Sequence, residues 1–242
     1  MGKFKFLKVA EFDGVGGPAK EVMGDDKHMK TPTRSGRFVV AKIEKHISYG
    51  KYAFYSGIAW VTPLREYNKK AQIKRNGVWI DLSTVPAFSK YAEKDVLRVL
   101  IESHASLMHD PLLKVLPGSW IYNDFGHISV KYFKDLDGNY RLNGKEEILG
   151  DFIHTTPGDE LRSSRGQKVV LGESHGCIHV KPKDIDAMLS VYIKRGSIIE
   201  VKEYTELTRP PISMELNYGR PEYETHFYPG LRKIFIYKVD AL

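Results

Sequence analysis

The chain has 242 residues, 42% of them apolar and 28% charged, with a formal net charge of +7 and a sequence pI near 9.2. That length fits one large domain, or one domain carrying a substantial insertion, and the composition is that of an ordinary globular protein. No apolar run approaches membrane-spanning length, which excludes an integral membrane segment of helical type. The opening "MGKFKFLKVAEFDG" alternates charged and apolar residues, unlike the uncharged core of a secretory signal, and Phe6 breaks the myristoylation pattern. Either the chain is not exported by a cleaved signal or its signal has been removed. The basic balance points to an acidic partner such as nucleic acid, anionic lipid or a carboxylate-rich cell wall. Lys and Arg are scattered, however, and no nucleic-acid motif appears among them, so no nucleic-acid partner is expected. A single cysteine, Cys177, excludes an internal disulfide.

In chain order, "KFKFLKVAEF" alternates as a strand, and "FDGVGG" supplies turn chemistry for a hairpin. The Gly14–Val15–Gly16–Gly17 cluster is too short for a dinucleotide fingerprint and reads as a turn. Phe38 to Ile43 form a strand, and residues 50 to 80 read as short strands and loops. Between Ser89 and Met108 the period changes: Ala92, Val96, Leu97, Leu100, His104, Leu107 and Met108 recur at helical spacing. Pro111 closes that helix, and "PLLKVLPG" is a turn or a short second helix. Strands return in "WIYNDFGHISVKYF" and, after the "LDGN" turn, in "DFIHTT". In "KPKDIDAMLSVYIKRGS", Ile185, Met188, Leu189, Tyr192 and Ile193 mark one helix face, with Pro182 in the first turn and Gly196 at the stop. "SIIEVKEY" is a strand, "TRPPIS" a break, and "KIFIYKV" a last strand. Trp60, Trp79 and Trp120 read as packing residues. The class is mainly β with an inserted helical segment.

The stretch "GESHGCIHV" surrounds the lone thiol with His175, His179, Gly172 and Gly176. A thiol attacks as thiolate, so it needs a base close in space rather than in sequence. His154 ends the apolar run "DFI" 23 residues earlier, far enough for a strand to leave and return. Gly176 permits close backbone approach, and the N–H groups of its turn suit an oxyanion. Alternation by two also sets His175, Cys177 and His179 on one face, as in a metal site. A structural zinc needs four ligands, and no fourth stands nearby, so neither metal nor cofactor is expected.

"SHGCIHV" after "HTT" resembles the signature of the L,D-transpeptidase catalytic domain, the YkuD-like family. "TPTRSGRF" (31 to 38) resembles that family's Thr-Pro-x-Gly-x-Phe element. "VKYF" is similar to its aromatic strand before the catalytic histidine, and "KPKDIDAMLSVYIKRGSIIEV" to its helix, Gly turn and closing strand. The four elements stand in the family's order and cover residues 3 to 43 and 127 to 203. The resemblance implies a β-rich sandwich over residues 1 to 204, a family-atypical, partly helical insertion at about 50 to 126, and a C-terminal extension, 205 to 242, packed on the same domain. It implies cysteine acyl transfer from a peptidoglycan tetrapeptide stem, with loss of the terminal D-Ala, to an amine acceptor. In that chemistry Cys177 is the nucleophile and His154 the general base. The backbone of His175, Gly176 and Cys177 supplies oxyanion donors, Ser174 supports the turn, and Tyr132 borders the donor stem. The implied location is the cell envelope or periplasm.

Departures from the family pattern are a His179 where Arg or Asn is usual, a longer gap between histidine and cysteine, and one extra residue in "TPTRSGRF". Arg162 and Arg165 are candidate carboxylate binders, and His179 a candidate substrate contact. The helix at 89 to 108 is either a lid over the cleft or a cap on a sheet face. Water as acceptor would make the protein an L,D-carboxypeptidase, including a delivered toxin acting on a rival's wall. A non-catalytic wall-binding module and a cysteine hydrolase of another amide or ester are the remaining alternatives.

Overall fold

The computed structural model describes every residue except 1, 26, 46–56, 90, 209–212, 217–221 and 242, with side chains of 2, 3, 213–216 and 241 also outside the description. About 35% of the chain is strand and about 20% helix. It folds as two compact units, the first made of 1–44, 129–154 and 166–242, the second of 45–128 and 155–165. Among the described residues no helix is long and apolar enough to cross a membrane.

The first unit is built on one nine-stranded sheet. Its strands are β1 (Gly2–Val15), β4 (Gly36–Glu44), β8 (Ser129–Phe133), β9 (Ile148–His154), β10 (Ile178–Val180), β11 (Ile198–Val201), β12 (Ser213–Leu216), β13 (Tyr223–Tyr228) and β14 (Lys233–Ala241). The order is β10-β9-β8-β4-β11-β13-β14-β1-β12, and the last two residues of β1 also pair with β10, so the ladder closes on itself. This pairing joins only two residues of each strand, so β9 keeps an uncovered edge before Ile153. The strand β1 thus runs on through "FDGV", pairing with β14 as far as Asp13 and then with β10, where a hairpin turn was expected. Its two-residue neighbours β2 (Val22–Met23) and β3 (Met29–Lys30) pair only with each other.

Residues after 204 are not laid over a finished domain. β13 joins β11 in parallel and β14 in antiparallel register, so the tail supplies inner strands of the sheet. Val39, Val40, Val130, Ile153, Ile178, Ile199, Phe227, Ile234 and Ile236 are among its buried residues, β-branched and aromatic types that pack well on a pleated surface. Helix α3 (Pro182–Val191) follows β10 and buries Pro182, Ile185 and Met188. It stops five residues before Gly196, whose φ of 84° instead serves the turn into β11.

The second unit has its own core. A three-stranded meander, β5 (Leu64–Tyr67), β6 (Lys70–Arg75) and β7 (Val78–Asp81), packs with helix α1 (Glu93–Leu107). Ile73, Leu82, Phe88, Val96, Leu100, Trp60 and Trp120 are buried there, while the Arg65 guanidinium stacks 4.1 Å from the half-buried Trp79 ring. Helix α1 begins at Glu93 rather than Ser89: Pro86–Phe88 form a separate 3-10 turn, and Ala92 is extended at the N-cap. "PLLKVLPG" forms turns without a helix. Helix α2 (Pro157–Ser164) completes this unit, with the Thr156 hydroxyl capping the N–H of Asp159.

Candidate functional site

The parallel pairing of β10 with β9 sets Ile178 opposite Ile153 and His179 opposite His154. Cys177 stands just before β10, where the edge of β9 is no longer covered by a strand. Its Sγ fills that edge, accepting the Phe152 N–H at 3.4 Å and donating to the Gly150 carbonyl at 3.7 Å. The thiol is half-buried. Burial pushes its pKa up to about 11; the Phe152 N–H works against that rise, and the nearby Asp151 charge adds to it.

The turn that carries the thiol is fixed from below by Ser174, which is buried. Its hydroxyl donates to the Cys177 carbonyl at 2.5 Å and accepts the Gly176 N–H at 3.0 Å. Its own N–H donates to the Gly16 carbonyl at 3.1 Å. Ser174 therefore organises the turn, and its hydroxyl already holds the Gly176 N–H. Of the expected oxyanion donors, the Gly176 N–H is thus already engaged. Gly176 has φ 125°, a conformation that side chains with a Cβ rarely adopt. The turn is braced on its other side by the glycine cluster and residues 31 to 34. A Cβ on Gly17 would fall 1.9 Å from the Thr31 carbonyl oxygen, and the Thr31 hydroxyl donates to the His175 carbonyl at 3.1 Å. The cluster read as a plain turn is thus a packing surface for the thiol turn.

His154 is buried and lies on β9 two residues beyond Phe152, the residue whose N–H meets the sulfur. The His179 ring packs edge-on against it, with centroids 4.9 Å apart. His179 Nδ1 is 2.9 Å from the Gly172 carbonyl. A carbonyl only accepts, so this nitrogen carries the hydrogen, and His179 acts as a brace for the His154 ring. His175 is exposed, with the His28 ring 6.4 Å away.

Tyr132 corrects an expectation. It is wholly buried against Phe38, centroids 5.2 Å apart, so it lies behind the site and offers no surface to a stem. No described residue bonds its hydroxyl. Burial, followed by the charges of Asp151 and Cys177, drives its pKa well above the ordinary tyrosine value. Arg162 lies on α2 in the second unit, 3.3 Å from Asp159, and Arg165 caps the same helix.

The residue that sequence reasoning missed is Asp151. Its Oδ2 accepts the Arg34 N–H at 3.4 Å, and Oδ1 lies 3.3 Å from the position a Cβ on Gly176 would take. Burial raises its pKa, and the Arg34 charge and N–H only partly counter this. Its one sequence signal was its place in "GDFIH", three residues before the candidate base.

Searched against protein-family models, curated proteins and solved structures, the chain matches none.

Two groups of ligand-type side chains gather within 4.8 Å among the described residues, both away from the thiol. Glu200, Glu224 and His226 are one; Arg37 and Lys202 already answer their charge. Asp135, Asp137 and Glu146 are the other, spaced with Asn139 and Asn143 along one loop. Their oxygens accept the N–H groups of Gly138, Tyr140, Asn139, Leu136 and Asn143, holding the loop closed on itself.

Proposed function

We propose that the protein is a peptidoglycan L,D-transpeptidase working through a thioester on Cys177, and that its closed ladder is the L,D-transpeptidase sandwich. The observation that carries this reading is the thiol on the open edge of β9, beside the strand that presents His154. A half-buried cysteine there faces one backbone N–H that favours the thiolate, and it stands in the turn whose backbone would supply oxyanion donors on this reading.

With a pKa near 11 the resting nucleophile is a thiol, so deprotonation accompanies attack. His154 takes the proton as Sγ bonds to the carbonyl carbon of the third stem residue. The tetrahedral oxyanion collapses, the C–N bond to the terminal D-Ala breaks, and the leaving amine takes the proton from His154. An acceptor amine then attacks the thioester, and the sulfur leaves with a proton. The His179 ring, tied to Gly172, restricts the rotation of the base. Peptidoglycan stems are the partners and the cell envelope the place of action in this reading.

Intact-mass spectrometry after incubation with a defined tetrapeptide, or with a carbapenem, tests it. A single adduct mapping to Cys177 and absent from Cys177→Ala is the expected result. An unmodified wild-type protein under conditions that acylate a known L,D-transpeptidase would refute it. Product analysis with excess acceptor separates crosslinked dimers from the tripeptide a carboxypeptidase leaves.

A further inference from the structure

A carboxylate beside a nucleophilic sulfur is a cost, because its charge opposes thiolate formation; Asp151 does this to Cys177. Its pairing with Arg34 is loose: Nε stands 3.9 Å away and the Arg34 side chain is 61% exposed, a geometry that neutralises little. The same carboxylate lines a cavity of about 660 Å³ in the first unit, with Thr31, Arg34, Glu21, Glu203 and Tyr204 among its walls. Three acids and one base line this cavity, so it is negative on a chain whose net charge is +7. A pocket of reversed sign on a basic protein selects cations. Asp151 Oδ1 in turn lies 3.3 Å from the position a Cβ on Gly176 would take, in the turn that holds the thiol.

Resting on the acyl-transfer reading, we infer that this cavity is the acceptor subsite and that Asp151 binds the ammonium group of the incoming acceptor beside Cys177. In the transfer, the acceptor R–NH3⁺ gives one proton to the Asp151 carboxylate and becomes R–NH2. Its nitrogen bonds to the thioester carbonyl carbon, the C–S bond breaks, and the second proton passes to the sulfur, restoring the thiol. Protonated Asp151 then returns its proton to water. Burial, which raises the Asp151 pKa, suits the carboxylate to that first proton transfer. Glu203, held at 2.5 Å by the Ser35 hydroxyl, adds a second negative group to the cavity lining for a diamino acceptor.

The test compares wild type with Asp151→Asn, using a tetrapeptide donor and two nucleophiles: a diamino stem, cationic at neutral pH, and hydroxylamine, which is uncharged there. Asp151→Asn should acylate Cys177 at least as fast as wild type, which also reports that the variant is folded. Its ratio of aminolysis to hydrolysis with the diamino stem should fall about tenfold to a hundredfold, through a raised acceptor KM, while the ratio with hydroxylamine stays unchanged. Asp151→Glu should restore part of the loss. Normal acylation with an unchanged ratio for the cationic acceptor would overturn this assignment alone. Equal losses with both nucleophiles would overturn it too, by showing a general structural role. Absence of any Cys177 adduct in wild type would overturn the acyl-transfer reading and this one with it.

Discussion

Glu200 and Asp151 are two partly buried carboxylates on the same sheet, and their surroundings shift them in opposite directions. Glu200 sits on β11 with Arg37 opposite it on β4 and His226 opposite it on β13, and it accepts from Arg37 and Lys202 at 2.5 Å each. Burial pushes its pKa up, but the charges of His226, Lys202 and Arg37 outweigh burial and hold it below the usual range. Asp151 has one distant guanidinium, and burial wins. Around Glu200 strand register answers charge with charge. Around Asp151 the structure leaves a raised thiol and an unbonded tyrosine hydroxyl. Beside Cys177, burial thus leaves a thiol and a tyrosine hydroxyl poorly answered, where chemistry can use them.

The sharpest way to break that contrast is to remove the cation from the settled region. Arg37→Met leaves Glu224, wholly buried, without its guanidinium partner and strips one of three cations from Glu200. A loss of about 3–5 kcal/mol in urea unfolding is expected, because the uncompensated charge stays buried. A change within experimental scatter would mean the network is no more answered than Asp151.

At the thiol the contrast can be read as reactivity. A cysteine titrating near 11 rather than the ordinary 9.0 carries about a hundredfold less thiolate at neutral pH. Alkylation by iodoacetamide should therefore be slow at pH 7 and climb toward a midpoint near 11. Asp151→Asn should move that midpoint down, since the charge it removes is one of the causes of the rise. A midpoint below 9 in wild type would show the corner to be electropositive.

Much of the first unit was legible because periodicity and turn chemistry are local. The α3 face through Ile185 and Met188 and the strand in "KIFIYKV" follow from spacing alone. What stayed illegible depends on register between distant segments. That the tail enters the sheet between β11 and β1 depends on pairings such as Ile198 with Glu224, which no local pattern encodes. Asp151 and Gly17 looked like an ordinary strand residue and an ordinary turn glycine, because their neighbours Gly176 and Thr31 are far away in sequence. Tyr132 misled for the same reason: an aromatic on a strand reads alike whether it faces a cleft or a core.

Ser174, which the family resemblance implies as a support of the turn, makes bonds whose loss has a measurable size. Ser174→Ala strands the Cys177 carbonyl and the Gly176 N–H, both tied to a buried hydroxyl. About 1–3 kcal/mol of stability should be lost. Thermal melting measures the cost, and faster proteolysis or exchange at residues 174–177 would locate it there.

The smallest effect is the most discriminating, because its sign reverses between the two carboxylates. Asp151 has a folded pKa above its unfolded one, so folding favours its protonated form. Its contribution is fully present below the ordinary 3.8 and is lost as pH rises through the raised value. Asp151→Asn removes a charge the fold disfavours and should stabilise the protein at pH 7 by about 0.5–1 kcal/mol, an advantage that fades in acid. Glu200 is the reverse: its lowered pKa contributes stability above the ordinary 4.5 that is lost as pH falls. Glu200→Gln should therefore destabilise at pH 7 and converge on wild type in acid. Urea titrations of the three proteins from pH 3 to pH 7 would show the two differences shrinking from opposite sides. If both variants destabilise at pH 7, Asp151 is as well answered as Glu200, and the carboxylate beside the thiol needs no acceptor to account for it.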